Sequence, residues 1–270
     1  MEKNRLDVVL LQRGMVPSRE KARALIMAGK VLVDGTRVEK SGTRVPLQAE
    51  IIIQDDINPY VSRGGLKLEG AIRDFNLVFT NKTVLDVGAS TGGFTDCALQ
   101  HGACRVVAVD VGYGQLDWTL RNDERVVVRE RTNIRYFTLE DLGEMVDVVT
   151  IDASFISLGL ILPVVSQLVR PGGEVVALVK PQFEAGRGKV GKKGVVKDPA
   201  VHIEVLERVM RTSVASGLSV VGITYSPLKG PRGNIEYFMY MIRNGANYVQ
   251  SGLDLPEVVT GAFRCLGGRS

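Results

Sequence analysis

The chain has 270 residues, with 34 Lys and Arg against 30 Asp and Glu, a formal charge of +4. Its 45% hydrophobic and 24% charged content is that of a globular chain and excludes a disordered one. Three cysteines without a CxxC pair and only two histidines exclude a disulfide scaffold and a zinc site, so no metal is expected. The opening MEKNRLDVVLLQRG lacks an apolar core of signal-peptide length. The longest uncharged run, residues 153–169, contains Pro163 and Gln167 and falls short of a spanning helix. A cytoplasmic protein is the expectation.

In chain order, Arg5 to Arg13 predicts a first amphipathic helix stopped by Gly14. Ser18, after Pro17, is an N-cap for a second helix that carries Arg19 and Arg23 four apart on one face and Lys21 towards another. Gly29 ends it, and Lys30-Val-Leu-Val-Asp-Gly-Thr-Arg-Val predicts a strand, an Asp-Gly turn and a second strand. The first 50 residues hold ten basic and six acidic side chains, so the excess charge sits here. Arg5-Leu-Asp, Pro17-Ser-Arg-Glu-Lys-Ala-Arg and Gly29-Lys-Val-Leu-Val-Asp-Gly together resemble the S4 RNA-binding domain. The resemblance implies an RNA grip through Arg5, Arg19, Lys21, Arg23 and Lys30.

A polar stretch with a proline, Asp55-Asp-Ile-Asn-Pro-Tyr, marks a boundary. The expected division is an amino-terminal domain over 1–58, a linker over 59–64 and a second domain over 65–270. The second begins with a helix over 65–75. Strands are predicted over 83–87, 105–110, 126–128, 146–151, 174–179, 218–225 and 236–242. Helices are predicted over 93–101, 115–121, 139–143, 158–169 and 200–216, with 252–266 a closing helix or an interface. This βαβ series specifies an α/β fold with a mostly parallel seven-stranded sheet, whose ligands bind beyond the carboxyl ends of the strands.

The strongest local signal is Thr83-Val-Leu-Asp86-Val-Gly88-Ala-Ser90-Thr91-Gly92-Gly93-Phe94, an apolar strand running into a glycine-rich turn and then a helix. Its glycine spacing departs from the G-x-G-x-x-G dinucleotide fingerprint. Asp86 favours a ligand with a cationic amino group over a pyrophosphate. Twenty-four residues on, Asp110 ends the next strand, where a carboxylate can accept from ribose hydroxyls. These positions resemble the S-adenosylmethionine (SAM) site of Rossmann-like methyltransferases. The expected cofactor set is Asp86, Gly88, Ser90, Thr91, Gly92, Gly93, Phe94, Asp110 and Asn133, with SAM as the cofactor.

Lys67 precedes the first strand of the sheet, Asp152 and Lys180 each follow an apolar strand, and Glu236 opens the last. This Lys-Asp-Lys-Glu order resembles the ribose 2′-O-methyltransferases of the FtsJ type. With Tyr60-Val-Ser-Arg-Gly-Gly-Leu-Lys, Asp152-Ala-Ser-Phe-Ile-Ser-Leu and Lys180-Pro-Gln-Phe-Glu-Ala-Gly-Arg, the whole chain is similar to the TlyA family, often labelled haemolysin A. The resemblance implies 2′-O-methylation of ribose, in cytidine, within ribosomal RNA or a ribosomal subunit. It assigns Lys180 as base with Asp152 beside it, and Lys67 and Glu236 to positioning. A ribose hydroxyl is a poor nucleophile, so alignment and help with one proton are what the chemistry demands.

Other chemistries leave signs that are missing. Asp152-Ala-Ser-Phe155 lacks the two prolines of amino-group methylases, and Lys180-Pro-Gln-Phe has no nucleophilic cysteine for base C5 methylation. Gly186-Arg-Gly-Lys-Val-Gly191-Lys192 matches G-x-x-x-x-G-K, but Lys193 replaces the Ser/Thr that would hold magnesium. Arg187, Lys189, Lys192, Lys193 and Lys197 are expected instead to form a basic loop that holds RNA phosphates. A membrane-active haemolysin is the alternative function. It would require an amphipathic or spanning segment, or a secretion signal, that the sequence does not display.

Overall fold

The computed structural model describes residues 3–27, 29–53, 58–186 and 188–267. The chain divides into two compact units, Met1–Asn58 and Pro59–Ser270. The expected boundary residues Asp55 and Asp56 lie outside the described residues.

The first unit runs β1 (Lys3–Arg5), α1 (Leu6–Gln12), α2 (Arg19–Met27), β2 (Val31–Val33), β3 (Thr36–Arg37), β4 (Arg44–Pro46) and β5 (Ile51–Ile53). Antiparallel strands form a β3-β2-β5 sheet and a β1-β4 pair. The Asp34-Gly35 turn between β2 and β3 has positive φ at both residues (48° and 76°), the geometry that matches strand twist in a tight hairpin. Leu6, Val9 and Leu10 of α1 and Ala22 and Ile26 of α2 bury against Val31, Val33 and Ile51 in one small core.

The second unit opens with α3 (Arg63–Phe75), which starts two residues before the expected Gly65. Ser62 explains the shift: its hydroxyl accepts from the Gly64 N–H at 3.3 Å and caps the helix. There follow β6 (Thr83–Val87), α4 (Gly93–Gln100), β7 (Arg105–Val109), α5 (Trp118–Arg121), β8 (Val126–Arg129), α6 (Leu139–Leu142), β9 (Val146–Ile151), α7 (Leu158–Leu168), β10 (Val169–Val179), α8 (Pro181–Glu184), α9 (Pro199–Ala215), β11 (Ser219–Tyr225), β12 (Tyr237–Ile242) and α10 (Leu255–Leu266). The sheet order is β11-β12-β10-β9-β6-β7-β8. Strands β10, β9, β6, β7 and β8 are parallel, and β12 is antiparallel to both β10 and β11.

Strand alternation divides the core into two layers. Leu85, Val87, Val107, Val149 and Ile151 face α7, α9 and α10. Val84, Val106, Ala108, Val148 and Val176 face α3 and α4. Strand order reverses at β6, whose neighbours are β7 on one side and β9 on the other, so a cleft opens at its carboxyl end. Local signals set the helices around it. Asp198 caps α9 by accepting from Ala200 N–H at 2.9 Å with Pro199 at the first position, and Thr138 and Asp141 form a reciprocal capping box on α6.

Candidate active site

The turn after β6 is held close by its neighbours. Gly88 (φ 84°) donates to Val109 O at 2.9 Å, and a Cβ there would lie 3.0 Å from the backbone of Asp152 and Ala153. A Cβ on Gly93 would lie 2.3 Å from Ser62 Oγ and 2.8 Å from Gly65 N, so only glycine lets α4 meet the start of α3. The chain thus threads between two loops, and its backbone is left bare towards the cleft.

Two hollows of about 760 and 660 Å³ open there and share Gly88, Ser90, Asp152 and Ser154, so they form one continuous cleft. The larger is lined by Asp110, Val111, Asn133, Ile134 and Leu160 among others. The smaller is lined by Thr91, Gly93, Phe94, Lys67, Asp152 and Lys180, with residues 229–233 as its far wall. Asp110 is fixed by two backbone donors, Ser90 N–H at 2.8 Å and Gly112 N–H at 2.7 Å. Each of its oxygens keeps a lone pair for a ligand.

Two members of the expected cofactor set do not line the cleft. Asp86 is fully buried, and its carboxylate accepts from Thr95 Oγ1 at 2.7 Å and Thr150 Oγ1 at 3.0 Å. It shares the Val84 face of β6, which packs on α4, so its side chain points away from the turn it precedes. Burial pushes its carboxyl up to about 6, against the two hydroxyls that favour the ionised form. Gly92 instead faces α5, where a Cβ would lie 2.3 Å from Leu120 Cδ1.

The four charged residues at strand ends come together as two ion pairs. Lys180 Nζ lies 2.6 Å from Asp152 Oδ1, and it donates to Ser154 Oγ at 2.8 Å and to Asp152 O at 3.3 Å. Lys67 Nζ donates to Glu236 Oε2 at 2.7 Å across 169 residues of sequence. Glu236 is fully buried and does not line the cleft; it sits behind Lys67, with Gln182 Nε2 donating to its second oxygen at 3.1 Å. A Cβ on Gly230 would lie 2.0 Å from Glu236 Oε1, so the turn at 229–233 approaches that carboxylate closely.

Sequence reasoning singled out neither Ser154 nor Gln182, though both stand within the phrases Asp152-Ala-Ser-Phe and Lys180-Pro-Gln-Phe. It also passed over Phe155, which is 90% exposed, has φ 63° and lies with its ring 4.9 Å from that of Phe183. An aromatic residue in the left-handed region is uncommon and marks a constrained loop. Its exposure beside Lys180 was not legible from an apolar letter in the chain.

The basic residues expected to hold RNA fall into separate groups. Arg5, Arg19 and Arg23 all direct a guanidinium nitrogen at the buried Asp7 carboxylate, at 3.0, 3.0 and 3.2 Å. Their face is therefore partly a structural ion cluster, because Asp7 on α1 lies under the α2 arginines. Lys21 is exposed on α2, and Lys30 is half-buried ahead of β2. Lys189 pairs with Glu204, at 2.6 Å to Oε1, while Lys192 and Lys193 are exposed. Arg187 lies outside the described residues.

The profile of the FtsJ-like methyltransferase family matches residues 60–243, and that of the S4 domain matches residues 4–51. The 16S/23S rRNA (cytidine-2′-O)-methyltransferase TlyA of Mycobacterium tuberculosis is 48% identical over 88% of this chain and 89% of its own length. Hemolysin A of Brachyspira hyodysenteriae is 41% identical over 88% and 99%. A solved Streptococcus thermophilus structure that carries a hemolysin label is 42% identical, with TM-score 0.80 over 99% of this chain and 98% of that one. The chain belongs to the FtsJ-like methyltransferase family, and within it to the TlyA family, with an S4 domain ahead of the methyltransferase domain.

Proposed function

We propose that this chain transfers the methyl group of SAM to the 2′-hydroxyl of a cytidine in ribosomal RNA, with the S4 domain holding the RNA. The observation that carries the reading is the meeting of Lys180–Asp152 and Lys67 in one cleft that runs on to the glycine turn and Asp110. The nucleotide and the RNA class follow the name of the 48% identical M. tuberculosis relative. Phe155 supports an RNA substrate, since an exposed ring beside the reacting groups offers a stacking face to an extruded base.

The bare backbone at Gly88 and the anchored Asp110 carboxylate fit SAM. Gly88, Ser90 and Thr91 would hold its amino-acid end, Asp110 its ribose hydroxyls, and Val111 and Ile134 its adenine, with Asn133 beside them. When bound, SAM supplies an electrophilic methyl carbon on a positively charged sulfur. Lys180 does the proton work. Three acceptors face its amine; the ribose hydroxyl would take the place of Ser154 Oγ, and Nζ, having first given one proton to solvent, would accept the hydroxyl proton as the methyl transfers. Asp152 fixes the direction of that amine. Lys67, steadied by Glu236 and through it by Gln182, orients the hydroxyl from the opposite wall.

The test is transfer from isotopically labelled SAM to ribosomal subunits that lack the modification, followed by mapping of the label. Label on a cytidine ribose is expected. Label on a base or a protein, or no transfer, removes the reading. Lys180→Ala should cut the single-turnover rate by about 10²–10⁴, the usual worth of general acid–base help, and Lys180→Arg should not restore it. A near-normal rate in the arginine variant would leave Lys180 as a charge that holds the hydroxyl. As to the membrane alternative, no helix among the described residues is long and apolar enough to cross a bilayer.

A further inference from the structure

Next to the catalytic cavity lies a third hollow, of about 910 Å³, that none of these roles uses. One wall is the basic loop at 193–197 and the other is the turn at 229–233. Among the described residues four cations line it, Lys193, Lys197, Lys229 and Arg232, and no carboxylate does. None of the four has a hydrogen-bond or ion-pair partner among the described residues, whereas Lys67, Lys180 and Lys189 each face a carboxylate. The floor is apolar, made by buried Val196 and Ile235 and the half-buried ring of Phe263. Lys229, Arg232 and Gly233 line this hollow and the catalytic cavity alike, so the two run into each other.

The groove is braced from within. Asn234 is 3% exposed, donates to Gly194 O at 2.9 Å and Pro231 O at 3.1 Å, and accepts from Val196 N–H at 3.2 Å. One side chain thus ties the two walls together. His202, kept neutral by burial, reaches Val196 O with Nε2 at 3.0 Å and the Tyr237 hydroxyl with Nδ1 at 2.8 Å, so the floor is anchored to α9 and β12. Uncompensated charges on a braced frame cost stability through mutual repulsion, which an anion in the groove would relieve.

We propose that this groove takes the single-stranded RNA next to the methylated nucleotide, its phosphates between Lys193, Lys197, Lys229 and Arg232 and one base on the Phe263 floor. A cationic channel with an apolar or aromatic seat suits an unpaired strand, whose exposed bases can stack where a duplex keeps them paired inside. The inference rests on the proposed RNA 2′-O-methylation, because the strand is placed by its continuity with the cavity of the target ribose. It adds that the enzyme engages its substrate as an opened strand beside the target, beyond the extruded base alone.

The test is binding of a short fluorescent oligocytidylate to the full-length protein over a range of salt. Lys193→Ala with Lys197→Ala should weaken binding and lower the log–log salt slope by about 1.4, two single-strand phosphate contacts at about 0.7 each. Phe263→Leu keeps the site apolar but removes the ring; it should lower affinity roughly tenfold with the slope unchanged. SAM affinity, measured by calorimetry on the same variants, should stay at the wild-type value and so report intact folding. An unlabelled duplex of the same length should compete poorly. An unchanged slope in the lysine variant, or equal competition by the duplex, overturns the proposal. Ribosomal-subunit methylation by the wild-type protein separates the two levels. If it proceeds while the slope does not move, the groove assignment alone fails; if it is absent, the function beneath it fails.

Discussion

Asp7 in the amino-terminal unit and Asp86 in the methyltransferase unit are both fully buried, yet their neighbours drive them in opposite directions. Around Asp7 stand three guanidiniums, and Arg5, opposed by burial and helped by Arg19 and Arg23, holds its carboxyl well below the ordinary range. Around Asp86 stand two threonine hydroxyls, and burial outweighs them, raising its carboxyl to about 6. Neutral hydrogen bonds do not replace a counter-charge in a dry site. The same contrast sorts the cations. Those over Asp7 are partly committed to holding α1 to α2, whereas the four in the groove beside the candidate active site have no anion beneath them among the described residues. A basic face is thus available to RNA in proportion to what lies under it.

The contrast can be broken most directly at Asp7. Asp7→Asn should destabilise the amino-terminal unit by about 3 kcal/mol, near the low end for breaking a buried pair, because the half-exposed arginines can rehydrate. Denaturant melts of that unit's signal would check it. Because the folded carboxyl lies below its ordinary value, its contribution is full above about pH 4 and is lost as pH falls further. The variant should lose that acid-side slope. Asp86 carries the opposite sign: its raised carboxyl costs stability as pH rises from about 4 to 6. Asp86→Asn should therefore be more stable than wild type above that window, by at most roughly 3 kcal/mol, and equal to it below. Equal melting of both proteins across the whole range would show that burial does not raise the Asp86 carboxyl.

A smaller effect is expected from Arg19→Ala with Arg23→Ala. Exposure of these side chains limits the cost to about 1 kcal/mol each. The salt slope of duplex RNA binding should fall by about 0.9 for each phosphate contact removed. Lower stability with an unmoved slope would assign both arginines to structure alone. Smallest of all, Lys189→Ala breaks an exposed pair with Glu204 and should leave the thermal midpoint essentially where it is in the wild type.

Much of this molecule was legible in its letters. Alternating and continuous apolar runs placed six of the seven strands of the large sheet to within a residue, while β10 starts five residues before the expected 174; Ser18 after Pro17 and Gly92-Gly93 marked helix starts, because backbone propensity and capping act over a handful of neighbours. The order Lys67, Asp152, Lys180, Glu236 along the chain pointed to strand ends that share a cleft. What faces what was decided only by tertiary structure. Asp86 and Gly88 stand two residues apart, yet pairing of β6 with β9 and packing on α4 turn the carboxylate inward to Thr150 and Thr95. Glu236 lies behind Lys67 because β12 runs antiparallel to β10 and returns its first residues to the mouth of the sheet. Arg19 and Arg23 meet Asp7 because two helices pack, not because of any spacing between them. The physical reason is one of range. Elements form from contacts a few residues apart, while the partner of a polar side chain, and with it the charge it keeps and the ligand it can hold, depends on chains brought together from far along the sequence.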